Sequence, residues 1–176
     1  MVEFNSNNLL SCKMIIRALN RNELIVVQEI AHLTWPDTFK DILSKDQIEY
    51  MLNWMYELKQ LEFQFDNGHL FFVAEHEGKP AGFIGIQPNH PEKGITKIHK
   101  IYILPSMQGM GIGKKLIEHV VDLSRQSNIL NLQLNVNRFN NAVHFYKSQG
   151  FEILYEENID IGNGYLMEDF VMRLAI

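Results

Sequence analysis

The chain has 176 residues, 46% of them hydrophobic and 11% aromatic, which is enough to bury a core. This length is typical of one domain, so we expect residues 1–176 to form a single domain. A formal net charge of −5 without a long basic run excludes a nucleic-acid-binding surface and favours a cationic small partner. No stretch approaches the roughly 18 apolar residues of a membrane span, so no membrane partner is expected.

Cysteine and histidine usage excludes further classes of protein. The single cysteine, Cys12, cannot form an intramolecular disulfide, and residues 1–19 lack the basic start and apolar run of an export signal. Both features predict a reducing, cytoplasmic location. The histidines show no metal-ligand spacing such as H-E-x-x-H, so no metal is expected.

The chain opens with a strand signal followed by a helix signal. Residues 13–19, KMIIRAL, form an apolar run that predicts a first strand. Asn20 and Glu23 have the spacing of a capping box, which predicts a helix from this point to about Thr34. The following segment, TWPDTFKDIL, is interpreted as an aromatic-bearing connector to the next helix.

A second helix and a hairpin are predicted next. Ser44 and Gln47 have capping-box spacing, and apolar residues recur at helical intervals behind them: Ile48, Met51, Leu52 and Met55. Residues 69–88 contain two strands joined by a Glu-Gly-Lys turn, in which Gly78 supplies the left-handed backbone conformation. Residues 95–104 predict one more strand before the most informative segment of the chain.

That segment is LPSMQGMGIGKKL, residues 104–116, which places three glycines within five residues at the start of a helix. The helix is predicted from a repeating apolar face: Ile112, Leu116, Ile117, Val120 and Val121. Bare backbone at a helix start exposes unpaired N–H groups to an anionic ligand. The candidate phosphate cradle consists of Gln108, Gly109, Gly111 and Gly113, with Lys114 and Lys115 beside it. Tight strand-to-helix packing is the alternative explanation for these glycines.

Two other phosphate-binding motifs are excluded by their spacing. The nucleotide P-loop requires G-x-x-x-x-G-K followed by Ser or Thr, and GMGIGKK has neither that spacing nor the hydroxyl. The dinucleotide fingerprint G-x-G-x-x-G belongs near a first strand, whereas these glycines alternate and lie far into the chain. Kinase, NTPase and nicotinamide-enzyme functions are therefore not expected.

The pattern Gln108-x-x-Gly111-x-Gly113 after a strand resembles the pyrophosphate-binding motif of the GNAT superfamily of N-acetyltransferases. A second segment, NVNRFNNAVHFYKSQGFEI, is similar to the family's segment after the fifth strand. The matching residues there are Asn140, Ala142, Phe145, Tyr146, Gly150 and Phe151. The order of strands and helices also follows the family, so the resemblance covers nearly the whole chain.

The resemblance implies an α/β fold with a mixed, mostly antiparallel sheet of about seven strands and four helices, splayed between strands 4 and 5. It also implies acetyl-CoA as cosubstrate. The pyrophosphate would lie on the segment Gln108, Gly109, Met110, Gly111, Ile112, Gly113 and Lys114. The pantetheine arm would pair by strand addition with the fourth strand, at Ile101, Tyr102 and Ile103, whose donors would also stabilise the oxyanion.

One position departs from the family pattern. The family often has an asparagine three residues before the alanine, and this chain has Phe139 there. Asn137 and Asn140 are therefore both candidate contacts to the cofactor.

The activity implied by the resemblance is acetyl transfer to a primary amine by direct attack in a ternary complex. An alkyl ammonium with a pKa of about 10.4 is only about 0.04% neutral at pH 7, so a proton acceptor is needed. His99 stands where many relatives have a carboxylate, with a structural role as its alternative, and Glu75 and Glu77 compete. Tyr146 matches the family's proton donor to the CoA thiolate, and a core aromatic is its alternative.

The acceptor is less well defined by the sequence. The segments DTF and QIEYML loosely resemble the bacterial polyamine-acetyltransferase branch, while other small amines, amino acids, aminoglycosides and protein amines stay open. Met51, Trp54, Met55 and Tyr56 are interpreted as helix core. Asp160, Glu168 and Asp169 are interpreted as a solvated face that would attract a polyamine. A non-catalytic acyl-CoA-binding or regulatory module is the rival hypothesis, and we expect a monomer or a homodimer.

Overall fold

The computed structural model describes residues 14–176. The strands are β1 Met14–Ala18, β2 Leu70–His76, β3 Lys79–Pro88, β4 Ile95–Ile103, β5 Asn131–Asn137, β6 Glu152–Asp160 and β7 Leu166–Ala175. The α-helices are α1 Ile25–Phe39, α2 Lys45–Tyr56, α3 Leu58–Asp66, α4 Ile112–Gln126 and α5 Ala142–Ser148. Cys12, and Lys13 of the predicted first strand, lie outside the described residues.

The strands form one sheet in the order β1-β2-β3-β4-β5-β7-β6. Every neighbouring pair is antiparallel except β4 and β5, which are parallel. The parallel pairing runs from Ile95 opposite Asn131 to Ile98 opposite Leu134 and then stops, although both strands continue. The predicted mixed sheet and its splay between strands 4 and 5 are confirmed.

Two helical layers cover the two faces of the sheet. Helices α4 and α5 pack on one face, called here the α4 face, with Leu116 and Leu134 in its core. Helices α1, α2 and α3 pack on the other, called here the α1 face, with Val27 and Phe83 in its core. The gap between β4 and β5 therefore connects the two layers.

The first predicted helix is longer than expected. Helix α1 runs to Phe39, so the interpretation as a connector is wrong for residues 34–39, whereas residues 40–43 do lie between α1 and α2. Pro36 lacks an N–H and normally ends a helix, but the buried rings of Trp35 and Phe39 on either side of it pack 4.5 Å apart. This tertiary packing carries the helix past the proline.

The helix count differs from the prediction because α3 was missed. It follows α2 after Glu57, whose ψ of 140° interrupts the helical backbone. No side-chain cap marks its start, and Leu61 is its one fully buried residue. A helix that has no capping residue and buries so few apolar side chains has no sequence pattern from which it could be predicted.

Other local predictions are confirmed. The Asn20 N–H donates to Glu23 Oε2 at 2.9 Å, although residues 21–23 form a 3₁₀ turn before α1. The Gln47 N–H donates to Ser44 Oγ at 3.1 Å at the start of α2. In the hairpin Gly78 has a φ of +76°.

No helix of residues 14–176 has the length and apolar character needed to cross a bilayer.

Candidate active site

A cleft of about 970 Å³ opens where β4 and β5 part. Every predicted site residue except Met110 lines it: His99, Ile101, Tyr102, Ile103, Gln108, Gly109, Gly111, Ile112, Gly113, Lys114, Asn137, Asn140 and Tyr146. Met110 points outward and is 44% exposed, so it contributes to the turn through its backbone. The structure thus brings together residues that sequence reasoning took from three separate segments.

The glycine turn has the geometry of an anion cradle. Gly109 and Gly111 have φ values of +78° and +74°, which favour glycine, and a Cβ on either would have nothing within 4 Å. Gly111 is the N-cap of α4, and its carbonyl accepts the Lys115 N–H at 3.1 Å. The three N–H groups before Lys115 have no intrahelical acceptor, so they are available to an anion at the positive end of the helix dipole.

Gly113 serves packing instead. A Cβ at this position would lie 3.1 Å from Cζ of Phe145, so the bare backbone lets α4 approach α5 closely. Close packing therefore accounts for this glycine, although the packing is between two helices and not between strand and helix as the alternative explanation had it. The open conformation of Gly109 and Gly111 still fits a pyrophosphate.

Strand β4 presents to the cleft backbone groups that no neighbouring strand pairs. The Leu104 N–H donates to the Ala81 carbonyl of β3 at 2.9 Å. Bonded and non-bonded pairs alternate along an antiparallel ladder, so Tyr102 also bonds to β3, while the N–H and C=O of Ile101 and Ile103 face the opening. The Gln108 side chain donates to the Ile103 carbonyl at 3.4 Å. Of the predicted trio, Tyr102 thus offers its side chain rather than its backbone.

Tyr146 lies on the α4 face of the sheet and lines the cleft. It is 7% exposed, and its ring packs against Phe145 and Phe151 at centroid distances of 5.4 and 5.8 Å. Burial, and secondarily the nearby Tyr102 phenol, raises the pKa of Tyr146 above its usual range. The hydroxyl therefore carries its proton throughout the neutral pH range.

Both candidate asparagines support the turn that presents Tyr146. Asn137 Oδ1 accepts the Phe139 N–H at 3.0 Å, and Asn140 Oδ1 accepts the Ala142 N–H at 2.8 Å. These bonds connect the end of β5 to the start of α5. Each amide keeps its Nδ2 group beside the cleft that both residues line.

His99 occupies a β-bulge in β4, where Ile98 and Lys100 pair with consecutive residues of β3. Its ring stacks on His69 at 4.4 Å, and its Nε2 lies 3.2 Å from the Gln87 amide oxygen. The residue keeps an exposed edge, yet desolvation by its neighbours, reinforced by His69 and nearby cations, lowers the pKa of His99 well below its usual value. It is a neutral but weak proton acceptor.

The competing carboxylates lie elsewhere. Glu75 accepts a hydrogen bond of 2.9 Å from Arg17 Nε across the β1–β2 pair. Glu77 lies in the β2–β3 turn. Neither residue lines the cleft.

Lys100, which sequence reasoning missed, is a buried cation in the cleft. It is 8% exposed, and its Nζ lies 5.2 Å from the centroid of the Tyr56 ring. No carboxylate of residues 14–176 lies within 4.0 Å of this ammonium. Burial lowers the pKa of Lys100 to about 8.

This unpaired cation predicts a stability effect. Its pKa is lower in the folded than in the unfolded chain, so the cost to folding grows as pH falls from about 10.5 to about 8 and is complete below that. Lys100→Met is expected to raise the free energy of unfolding at pH 7 by about 1–3 kcal/mol, and to lose this advantage above pH 10.5. Thermal melts across pH measure it, with the exposed Lys59→Met as control. An unchanged melting temperature would contradict the buried charge.

Asp169 corrects a prediction. Asp160 and Glu168 lie at the surface as expected, where Glu168 accepts a bond of 3.2 Å from Arg138. Asp169 is only 5% exposed and lines the cleft, so its interpretation as part of a solvated face is wrong. The reason is the β5–β7 register, which places Asp169 opposite Asn137 at the edge of the opening.

The four residues of α2 that were interpreted as helix core also differ in their burial. Met51 and Tyr56 are buried as expected, and Met55 packs partly buried beside them. Trp54 is 47% exposed, so its interpretation as core is wrong. Met51, Met55 and Tyr56 also line the cleft from the α1 face.

The splayed sheet, with a glycine turn at its opening, defines an N-acyltransferase class of fold. The model of the acetyltransferase (GNAT) family matches residues 27–151, and the chain belongs to this family. Acetyl-CoA is the acyl donor of the family.

Individual relatives agree with this assignment. An uncharacterized N-acetyltransferase of Methanocaldococcus jannaschii is 34% identical over 47% of this chain, but the match spans only 38% of that relative. A spermidine N(1)-acetyltransferase of Thermoplasma acidophilum is 27% identical over 87% of this chain and 94% of its own length. The crystal structure of PaiA N-acetyltransferase from T. acidophilum in complex with coenzyme A has a TM-score of 0.78 and 25% identity, over 93% of this chain and 99% of that one.

Proposed function

We propose that this chain is an acetyl-CoA-dependent N-acetyltransferase that acetylates a primary amine by direct attack in a ternary complex. The observation that carries the proposal is the cleft itself. The open glycine turn, the unpaired edge of β4 and the buried Tyr146 hydroxyl all lie along one cleft between the helical layers. Each matches one part of acetyl-CoA: the pyrophosphate, the pantetheine arm and the thioester sulfur.

The proposed binding mode extends the sheet. The arm of acetyl-CoA would pair with the outward N–H and C=O groups of Ile101 and Ile103, in the place that β5 leaves open. The pyrophosphate would accept hydrogen bonds from the first N–H groups of α4. An outward N–H of β4 would then lie near the thioester oxygen, where it stabilises the negative charge of the tetrahedral intermediate.

The proposed chemistry is one addition followed by one elimination. A neutral amine nitrogen attacks the thioester carbon, the C–N bond forms, and the C–S bond breaks with CoA leaving as a thiolate. Tyr146 donates a proton to that sulfur. The nitrogen loses its remaining extra proton as the amide forms, and this proton restores the Tyr146 hydroxyl, so the products are the amide and CoA thiol and the protons balance.

We propose a polyamine as one acceptor class. The support is the spermidine N(1)-acetyltransferase relative, the net charge of −5, and the carboxylates of Asp37 and Asp41 on the cleft lining. A cationic chain would be attracted by these groups. The continuous sheet supports a single domain, and a cytoplasmic monomer or homodimer stays a prediction from the sequence.

The test of the proposed function is CoA release with a panel of amines. Spermidine, simple alkylamines, amino acids, an aminoglycoside and a lysine-containing peptide would be supplied with acetyl-CoA, and thiol release measured beside a calorimetric titration of acetyl-CoA. Turnover with any of them supports an enzyme. Tight binding without turnover on the whole panel would favour the non-catalytic acyl-CoA-binding module.

His99→Gln tests the proton acceptor that the family resemblance implies. Because its pKa lies far below neutrality, His99 stays neutral over the working pH range. We therefore expect His99→Gln to keep the acidic limb of kcat/KM and to lower the rate by less than about 10-fold, through loss of the contact to Gln87. Disappearance of the acidic limb would instead assign the proton acceptor to His99.

A further inference from the structure

The α1 face of the cleft contains a carboxylate that the proposed function does not yet use. Side chains alternate along β7, where Met167 packs into the α1-face core and Phe170 into the α4-face core. Asp169 therefore shares the face of Met167. It lies on the same layer as the aromatic wall of Trp35, Tyr56 and Tyr102, on the side of the opening away from α5.

The fold does not satisfy this carboxylate. Its one hydrogen bond among the described residues is from Asn135 Nδ2 to Oδ2, at a long 3.5 Å, and no donor reaches Oδ1. The nearby Lys97 ammonium bonds to Asn135 Oδ1 instead. Burying a carboxylate with so little compensation is costly, and Asp169 lines the cleft, where a cationic ligand would supply the missing hydrogen bonds.

We infer that Asp169 binds the ammonium group of the acceptor and takes its proton before attack on the thioester. The inference rests on the proposed function and names its proton acceptor. The carboxylate and the Tyr146 hydroxyl line one cleft from opposite helical layers, so acceptor and leaving group would each meet one of them. Tyr102 lines the same cleft, and its phenol interacts electrostatically with both groups.

The charged surroundings suit this role. Asp169 is faced by Lys97 and Tyr102 from β4, Asn135 from β5, Glu157 from β6, and Arg138 from the turn after β5. Burial raises the pKa of Asp169 to about 6, and Glu157 adds to this, while Asn135, Lys97 and Arg138 oppose it. The group is then ionised at pH 7 but more basic than an ordinary aspartate.

The proton balance is simple. The ammonium gives one proton to the Asp169 carboxylate and becomes a neutral amine. That amine adds to the thioester carbon to form the C–N bond, and the C–S bond then breaks as Tyr146 protonates the leaving sulfur. The second proton that the nitrogen loses restores the Tyr146 hydroxyl, and Asp169 afterwards releases its own proton to solvent. No oxidant, reductant or metal takes part.

Asp169→Asn tests this inference while keeping the shape of the side chain. The probe is spermidine, or the best amine of the panel if spermidine is not acetylated. We expect kcat/KM at pH 7 to fall by about 10²- to 10³-fold, with acetyl-CoA affinity unchanged. Glu152→Gln is the control, since it removes an exposed carboxylate on β6 that does not line the cleft, and it should retain nearly full activity.

The pH profile separates catalysis from a structural role. If wild type binds the ammonium and then deprotonates it, kcat/KM should rise to a plateau from about pH 6 up to the pKa of the amine. Asp169→Asn would depend on free neutral amine, so its kcat/KM should rise tenfold per pH unit up to that pKa. The ratio of kcat/KM between wild type and Asp169→Asn should also be smaller with an amine of lower pKa.

Three outcomes would overturn the inference. A plateau retained in Asp169→Asn would assign proton removal to another group while leaving the proposed function intact. Equal loss at all pH values, accompanied by a lowered melting temperature, would make the residue structural. Failure of the wild type to acetylate any amine, despite binding acetyl-CoA, would overturn the proposed function and this inference together.

Discussion

Replacing Tyr146 with phenylalanine is expected to lower kcat by about 10²-fold and to change acetyl-CoA affinity little. The phenyl ring keeps the packing against Phe145 and Phe151, and only the hydroxyl is lost. Steady-state CoA release with a working amine measures kcat, and calorimetric titration of the same variant measures affinity. Tyr155→Phe, which removes an exposed hydroxyl on β6, is the control and should behave as wild type.

The raised pKa of Tyr146 keeps its hydroxyl in the form that can donate a proton. A phenol whose pKa is above its usual value of 10 remains protonated wherever the enzyme would be assayed, so the donor form is always present. A thiol pKa of about 8.5 means that proton transfer to a finished thiolate is uphill. Tyr146 therefore acts while the C–S bond is breaking, by a hydrogen bond that tightens as charge develops on sulfur.

The outcome against this role is equally definite. Full activity in Tyr146→Phe would make the hydroxyl a packing or cofactor contact, and CoA would leave without assistance. A loss of acetyl-CoA affinity that matches the loss of rate would indicate binding instead of proton donation.

The residues proposed to contact acetyl-CoA could be predicted from the sequence because they lie in short continuous segments of the chain. Gln108, Gly109 and Gly111 are nearly adjacent in the sequence, and their position after a strand and before a helix determines the geometry of the turn. Tyr146 follows from a short helix after β5 in the same way. In such segments the chain itself brings the functional groups together.

The residues on the side of the cleft proposed for the amine could not be predicted, because contacts between segments far apart in the sequence bring them together. Asp169 looks like one of three acidic residues near the C-terminus until β7 pairs with β5 and places it opposite Asn137. Lys100 looks like an ordinary strand lysine until Tyr56, at the end of α2, packs over its ammonium. Burial of a charge depends on the whole fold, which local patterns do not describe.

The difference between local signals and tertiary packing also explains why the predicted end of α1 was wrong. The capping signal at Ser44 is local, and it placed the start of α2 correctly. The extension of α1 past Pro36 depends on the buried rings of Trp35 and Phe39 in the α1-face core. Tertiary packing overrode the local propensity there.

The second large effect is expected at the glycine turn. Gly111→Val should weaken acetyl-CoA binding by about 10²-fold or more. A β-branched residue resists the φ of +74°, and its side chain would project into the cleft where the pyrophosphate is expected. Gly113→Val should act differently, because its Cβ would press on Phe145, and a lowered melting temperature is expected to accompany any loss of affinity.

Gly78→Val separates backbone strain from ligand contact. This glycine has a φ of +76° and also nothing within 4 Å of an added Cβ, but it lies in the β2–β3 turn away from the cleft. It should lose stability as Gly111→Val does and still bind acetyl-CoA. S-acetylpantetheine, which lacks the pyrophosphate, adds a second comparison: Gly111→Val should use it as well as wild type does, since the lost contact is absent from this donor. Equal affinity of wild type and Gly111→Val for acetyl-CoA, in a folded protein, would remove the cradle from the proposed site.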